Sequence, residues 1–213
     1  MAVFEDVEIK WLGHASFKIV YHDKVIFIDP YNVPASEEEF ADYILITHEH
    51  YDHFSPKDIK KLQADKTEVI ATPGCISKME GELVILPTNE KRTFPDFTLY
   101  SVPAYNIGKA FHPKDFGNGY VIQIGTQTIY HAGDTDFIPE MEKLREFEID
   151  IALLPVGGTF TMDVREAVKA IKAIQPKKVW PMHYGTLPQT TADIDQLKQL
   201  IKNYELNVEV ITE

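Results

Sequence analysis

The first half of the chain consists of short apolar, β-branched runs that Gly, Asp and Pro separate from one another. Runs of this length and composition predict β-strands rather than helices. They cover residues 7–12, 16–21, 25–28, 43–47, 68–71, 83–86, 91–94, 97–102, 119–124 and 128–130. Ser55 followed by Pro56 predicts the start of a short helix, and residues 73–80 predict another. Residues 103–118 contain Pro, Gly and Asn throughout, which predicts an irregular loop.

The second half of the chain alternates between helical and strand patterns. Asp163 and Glu166 form a capping-box pattern, and the apolar positions that follow up to Ile174 have helical spacing. Further helices are predicted over 139–147 and 194–204, and further strands over 151–154, 179–182 and 208–211. A helix with one apolar face must cover a sheet, and no linker divides the chain. We therefore predict one α/β domain over residues 1–213, with two sheets packed face to face and helices outside.

Composition excludes several classes of protein. The 213 residues are 44% hydrophobic and 25% charged, as in ordinary globular domains, and the single cysteine, Cys75, excludes an intrachain disulfide. The net charge of −12 repels phosphate backbones, so nucleic acid is an unfavourable partner. The N-terminus lacks a signal-peptide pattern, and no apolar run reaches about 18 residues. We expect a cytoplasmic protein that acts on a small molecule and not at a membrane; the sequence allows an oligomer.

One motif carries most of the chemical information. Residues 47–53 read Thr-His-Glu-His-Tyr-Asp-His, directly after an apolar strand. In an extended segment His48 and His50 point to the same side, whereas Asp52 and His53 can reach a second position as the backbone turns. Imidazole nitrogens and carboxylate oxygens are ligands that suit Zn²⁺ and its first-row neighbours. One loop cannot complete two such sites, so further ligands must come from other strand ends.

Two later residues are candidates for those ligands. Asp134 lies in Tyr-His-Ala-Gly-Asp-Thr and His183 in Trp-Pro-Met-His-Tyr-Gly-Thr, each just past a predicted strand. Taken singly, Asp134 has the alternative explanation of a turn residue and His183 that of a buried histidine with a structural role. The histidine-rich loop at 47–53 makes metal binding the better explanation for both.

With these motifs the chain resembles, over essentially its whole length, the metallo-β-lactamase superfamily. It is most similar to a small single-domain branch of metal-dependent hydrolases that includes relatives of ascorbate-phosphate lactonase. Trp-Leu-Gly-His-Ala at 11–15, Ile-Asp-Pro at 28–30 and Pro-Val-Gly-Gly-Thr-Phe-Thr-Met at 155–162 also resemble that branch. The resemblance implies an αββα four-layer sandwich with a dinuclear metal site. Its implied ligands are His48 and His50 for the first ion, Asp52, His53 and His183 for the second, and Asp134 for both.

The first metal site departs from the family pattern at one ligand. The family usually supplies another histidine from the loop that here follows residues 97–102, and Asn106 stands at that place. An amide oxygen is a weaker ligand for Zn²⁺ than imidazole. We therefore expect His112, in the same loop, to be the ligand and Asn106 to lie next to the ligands or the substrate; Asn106 as the ligand and an incomplete first site are the alternatives.

Three further residues each have two explanations. His14 either faces the site, next to the metal ligands or the substrate, or is a turn residue. Asp29 either accepts the second ring N–H of a metal-binding histidine or is a turn carboxylate. Tyr184 either polarises a substrate oxygen or packs in the core.

The implied activity is hydrolysis of a small ester, lactone or phosphodiester by a metal-bound hydroxide, with Asp52 and Asp134 as the catalytic carboxylates. The expected cofactors are two divalent ions, with Zn²⁺ favoured and Mn, Fe or Ni as alternatives. A nuclease or phosphodiesterase of the same fold is one rival interpretation, which the negative charge disfavours. A degenerate member that binds a metal or ligand without turnover is the other.

Overall fold

Two seven-stranded β-sheets form the centre of the computed structural model, which describes residues 1–37, 39–78 and 81–212. In each sheet, strands that follow one another in sequence are also neighbours in space. The first sheet contains β1 (Ala2–Phe4), β2 (Val7–Gly13), β3 (Ser16–Tyr21), β4 (Lys24–Ile28), β5 (Ala41–Ile46), β6 (Gln63–Ala71) and β7 (Leu83–Ile85). The second contains β8 (Lys91–Thr93), β9 (Phe97–Ala104), β10 (Gly117–Ile124), β11 (Gln127–His131), β12 (Ile151–Pro155), β13 (Lys178–Met182) and β14 (Glu209–Val210).

Each sheet changes from antiparallel to parallel pairing across its width. Pairing is antiparallel from β1 to β4 and parallel from β4 to β7. It is antiparallel from β8 to β11 and parallel from β11 to β14. Parallel neighbours need a crossover connection. Three α-helices in the described part of the chain supply such crossovers: α1 (Pro56–Leu62) follows β5, α2 (Val164–Ile174) follows β12, and α3 (Ile194–Asn203) follows β13.

The sheets and helices form four layers. One apolar cluster contains fully buried residues of both sheets, such as Phe17 from β3 and Tyr120 from β10, together with the buried face of α2. A second cluster joins Ile59 of α1 to Phe27 and Ile44 of the first sheet. Helices therefore cover the outer faces of two sheets that share a core. The predicted αββα sandwich is confirmed.

Local sequence patterns mispredicted several elements. The edge strand β1 was not predicted, because it is three residues long and only partly buried. The loop predicted over 103–118 is shorter, since Ala104 pairs with Gly117 and lengthens β9 and β10 at its two ends. The segment Pro139–Phe147 is a 3₁₀ helix, and a second 3₁₀ turn covers Pro73–Cys75; the end of the helix predicted over 73–80 lies outside the described residues.

The strand ends determine where loops meet. The chain leaves β5, β11 and β13 at their carboxyl ends, beside parallel neighbours. Crevices at carboxyl ends of parallel strands are common ligand sites. Over the described residues, no helix combines the length and hydropathy that crossing a bilayer requires.

Candidate metal centre

Five segments bring titratable side chains together at these strand ends. They are the turn after β2, the loop after β5, the loop between β9 and β10, the turn after β11 and the residue directly after β13. The side chains that meet there are His14, His48, His50, Asp52, His53, His112, Asp134 and His183. All are buried except His50, which is half-buried.

Three histidines form the first group. His48 Nε2 lies 3.1 Å from His50 Nδ1, and His50 Nδ1 lies 3.1 Å from His112 Nε2. A neutral imidazole carries a proton on only one nitrogen, so this row of ring nitrogens cannot be satisfied by hydrogen bonds among its own members. The structure thus places His112 beside the two histidines of the 47–53 motif.

Asp134 connects the first group to a second. Its Oδ2 lies 3.3 Å from His112 Nε2 and 3.0 Å from His183 Nε2, and its Oδ1 lies 3.2 Å from His53 Nε2. Asp52 completes the second group, with Oδ2 at 4.0 Å from His53 Nε2. One carboxylate therefore contacts ring nitrogens of both groups.

Asp29 fixes the orientation of two of these rings. Its carboxylate accepts hydrogen bonds from Thr47 N at 2.8 Å, Thr47 Oγ1 at 2.6 Å and His53 Nδ1 at 2.7 Å. Because the Thr47 hydroxyl donates to Asp29, its oxygen accepts from His48 Nδ1 at 3.0 Å. Both rings then hold a proton on Nδ1, and Nε2 faces the site.

Asn106 fixes the ring of His112 in the same way. Asn106 Oδ1 accepts hydrogen bonds from His112 N at 3.0 Å and from His112 Nδ1 at 2.9 Å, which leaves the Nε2 lone pair facing the site. The Asn106 oxygen is therefore directed at His112 and not at the ring nitrogens of the first group.

The buried carboxylate of Asp136 holds the Asn106 amide in place, on the side away from His112. Asn106 Nδ2 donates to Asp136 Oδ1 at 3.1 Å and to the Phe160 carbonyl at 2.9 Å. Asp136 also accepts from Ile107 N at 2.8 Å and from Lys109 Nζ at 2.6 Å. Together these bonds tie the loop that carries His112 to the chain after β11 and to the 160–161 segment.

The donor atoms fit divalent cations. His53 Nε2 and Asp134 Oδ1 lie 3.2 Å apart, and either a proton on the ring or a metal cation bound by both atoms stabilises this pair. The separations of 3.0–3.3 Å between neighbouring donors match the edge of a tetrahedron around an ion with Zn-like bonds, about 3.3 Å. Three overlapping groups of ligand atoms could each hold an ion: His48, His50 and His112; His48, His53 and Asp134; and His14, Asp52, His53 and His183.

The charges of the site agree with this fit. Burial lowers the pKa of His48 well below its usual value, so this ring is neutral. Burial opposes charge on His53 as well, but the Asp134 and Asp29 carboxylates raise the pKa of His53 well above its usual value, so this ring carries a second proton that a bound metal ion would replace. Burial would raise the pKa of Asp134, yet His183 and His53 hold it well below its usual range. The carboxylate is therefore ionised and attracts positive charge to the site.

His14 holds Asp52. Its Nε2 donates to Asp52 Oδ2 at 3.0 Å, and this bond lowers the pKa of Asp52 to about 2 despite burial. The His14 ring also lies 3.9 Å from the ring of His183, and the His14 carbonyl accepts from His183 N at 2.8 Å. The turn after β2 and the end of β13 are thus joined at the second group.

Backbone strain is concentrated at the same place. His14, Asp29 and His183 have positive φ angles of 53°, 45° and 57°. Such conformations cost non-glycine residues about 1–3 kcal/mol each and cluster at functional sites. Gly157 makes room for one of them, because a Cβ there would lie 2.2 Å from the His183 carbonyl oxygen.

Tyr184 lies outside the groups of metal-binding atoms, and three residues near the site were not predicted from the sequence. The Tyr184 ring stacks on Trp11, with 5.4 Å between ring centroids, and packs against the main core. Asp136 was not identified from the sequence, although the Asp-Thr-Asp run at 134–136 offered a signal. Phe111 and Phe160, whose rings meet near the site, carry no signal in their local sequence.

Comparisons with known proteins agree with this architecture. A family model described as "Beta-lactamase superfamily domain" matches residues 8–183. The UPF0173 metal-dependent hydrolase of Nanoarchaeum equitans is 39% identical over 214 residues, covering 96% of this chain and 95% of the relative. That of Pyrococcus horikoshii is 37% identical and covers 92% of each chain. A crystal structure from Parabacteroides distasonis has a TM-score of 0.86 and 34% identity, and covers 96% of this chain and 92% of its own.

Proposed function

We propose that this chain, which belongs to the beta-lactamase superfamily and within it to the UPF0173 metal-dependent hydrolases, hydrolyses a small ester, lactone or phosphodiester with two divalent metal ions. The names of its relatives support metal-dependent hydrolysis. The observation that carries the proposal is the convergence of acceptor atoms on Asp134, where ring nitrogens of both groups face its two oxygens. Ring nitrogens and carboxylate oxygens that face one another in a buried site need a proton or a metal ion between them, and a set of five imidazoles and two carboxylates is typical of a metal site.

The proposed ligands divide between two positions. His48, His50 and His112 would hold the first ion, Asp52, His53 and His183 would hold the second, and Asp134 would contribute to both positions. The imidazole-rich set favours Zn²⁺, with Mn, Fe and Ni as alternatives that depend on supply. Divalent ions bound there would activate a water molecule at neutral pH and stabilise negative charge that develops on the substrate.

The protein's own residues prepare this chemistry. Asp29 and Asn106 keep protons on the outer nitrogens of three rings, so the inner nitrogens are ready to bind cations. His14 holds Asp52 through Oδ2, the oxygen that lies 4.0 Å from His53 Nε2, and so fixes this carboxylate beside the second group. Because these partners are buried, the site is organised before substrate arrives.

Elemental analysis of the purified protein after Zn²⁺ reconstitution tests the proposal. We expect close to two metal ions per chain in the native protein. Asp134→Ala should lower the count at both positions, and His112→Ala should remove about one ion. His22→Ala, which changes an exposed histidine outside the site, is the matched control and should leave the count unchanged.

A hydrolysis assay then distinguishes an enzyme from a protein that binds metal without turnover. The zinc-loaded protein is assayed with a carboxylic ester, a lactone and bis(4-nitrophenyl) phosphate. Turnover of any of them that disappears in Asp134→Ala supports the hydrolase. Two bound metals without turnover of any of these substrates would favour a binding role, and no metal after reconstitution with Zn²⁺ and Mn²⁺ would refute the site itself.

A further inference from the structure

A small open cavity lies against the proposed metal ligands. Its volume is about 180 Å³, and its polar side is formed by His50, Asp52, His112 and Asp134. His50 and His112 belong to the first proposed metal position, Asp52 belongs to the second, and Asp134 belongs to both. A molecule in the cavity would therefore touch the reacting centre. The remaining side of the cavity therefore determines which substrates fit.

That remaining side is apolar. It is formed by Tyr51, Phe111, Phe160 and Leu187. The rings of Phe111 and Phe160 meet edge to face with centroids 4.9 Å apart, so two separate loops build one wall. Phe111 is 46% exposed and Tyr51 66% exposed, which is unusual for large apolar side chains beside a site. Exposed aromatic side chains at this position can pack against an apolar part of a substrate.

No cationic side chain faces this cavity. Among the described residues that line it, none is Lys or Arg. The two lysines of the neighbouring loop have carboxylate partners elsewhere: Lys109 pairs with Asp136 at 2.6 Å, and Lys114 lies 3.6 Å from Glu140. The net charge of −12 also repels anions at long range. The protein thus offers an anionic substrate no side-chain partner in this cavity.

We propose that the cavity binds the apolar acyl group of a neutral carboxylic ester or lactone, in preference to an anionic phosphodiester; this assignment rests on the proposed hydrolase function. The metal ions and the attacking water would take up part of the volume of about 180 Å³, and the rest suits a short acyl chain. In the reaction a water oxygen bonds to the carbonyl carbon and the bond to the alcohol oxygen breaks. The alcohol oxygen takes one proton, and the acid leaves as a carboxylate with release of the other.

Chain length of the acyl group is the test. The zinc-loaded protein is given methyl acetate and methyl butyrate, and acid release is followed with a pH indicator. Each buried CH₂ is worth about a fourfold change, so kcat/KM should rise about 15-fold from acetate to butyrate. Phe111→Ala should reduce this ratio below about fourfold. Phe111 is nearly half exposed, so its removal leaves the core intact.

Two controls isolate the effect. Ile76→Ala removes another exposed apolar side chain outside the cavity lining, and it should leave the ratio unchanged. Ile76→Ala should also leave kcat/KM for bis(4-nitrophenyl) phosphate unchanged, which is the second control. A ratio near one in the native protein, or an unchanged ratio in Phe111→Ala, overturns the proposal. So does a higher kcat/KM for the diester than for methyl butyrate, although the hydrolase function then stands.

A binding measurement covers the case without turnover. N-Methylbutanamide has the shape of methyl butyrate but resists hydrolysis. Saturation-transfer NMR should show contact between its acyl methyl group and the zinc-loaded protein, and loss of this contact in Phe111→Ala. Equal transfer in both proteins, or none in either, overturns the assignment of the cavity even if the hydrolase proposal has failed separately.

Discussion

Asn106→Ala tests whether the hydrogen bonds from His112 to Asn106 orient the His112 ring for metal binding. The substitution removes an oxygen that accepts from two His112 donors, at 3.0 and 2.9 Å. It also removes an amide that donates to Asp136 and to the Phe160 carbonyl. Without the Asn106 oxygen, the His112 proton is no longer held on Nδ1 and the ring can turn.

The expected magnitude follows from these bonds. Loss of an outer partner of a metal-binding histidine typically costs 10–100-fold in metal affinity, or about 1.4–2.7 kcal/mol. The buried partners left without Asn106 should also lower the free energy of unfolding by about 2–4 kcal/mol. Metal affinity is therefore measured on folded protein, well below the unfolding temperature.

The assay is competition for Zn²⁺ with a chromogenic chelator, carried out on the metal-free protein. One of two binding steps should weaken 10–100-fold in Asn106→Ala while the other stays within about threefold. Asn118→Ala is the matched control, because Asn118 is buried and bonds Thr88 and Leu86 rather than a histidine.

A double-mutant cycle identifies the cause. If Asn106 acts through His112, then Asn106→Ala should have little further effect on Zn²⁺ affinity in a His112→Ala background. An equal loss in both backgrounds would mean that the amide supports the fold and not the ring. Unchanged affinity in the single variant would refute the reasoning outright.

Three further outcomes are expected. Gly157→Ala should lower the free energy of unfolding by about 1–3 kcal/mol and displace His183, so chemical denaturation and metal content should both change. Saturating Zn²⁺, at about 100 times Kd, should add about 2.7 kcal/mol and raise Tm by about 5–11 °C by calorimetry, and Asp134→Ala should abolish the shift. Burial raises the pKa of Glu37, but its lysine partners bring it below the usual 4.5. Its ionised form therefore adds stability above about pH 5, which is lost as pH falls through the lower folded pKa. Glu37→Gln should cost about 1–3 kcal/mol at pH 7 and flatten the acid limb of the stability curve.

Much of the architecture was predictable because it follows from local patterns of apolar and polar residues. The run at 43–47 is apolar on both sides, as β5 requires in the middle of a parallel region with a covered outer face. Strands that end in polar, metal-capable residues pointed to Asp134 and His183, since the ends of parallel strands meet at one edge of a sheet. The capping box at Asp163 forms as its sequence predicts.

The loop between β9 and β10 shows where local pattern stops being informative. Sequence position placed Asn106 where a ligand was expected and left His112 as an alternative, because an irregular segment has no periodicity from which a side-chain direction follows. The direction is set by a distant carboxylate: Asp136, after β11, binds Asn106, Ile107 and Lys109, and this fixes the path that returns His112 to the site. The same contacts bring Phe111 against Phe160. Organisation of the first metal position and of the apolar wall therefore depends on one tertiary network, and changes at Asp136 should disturb both together.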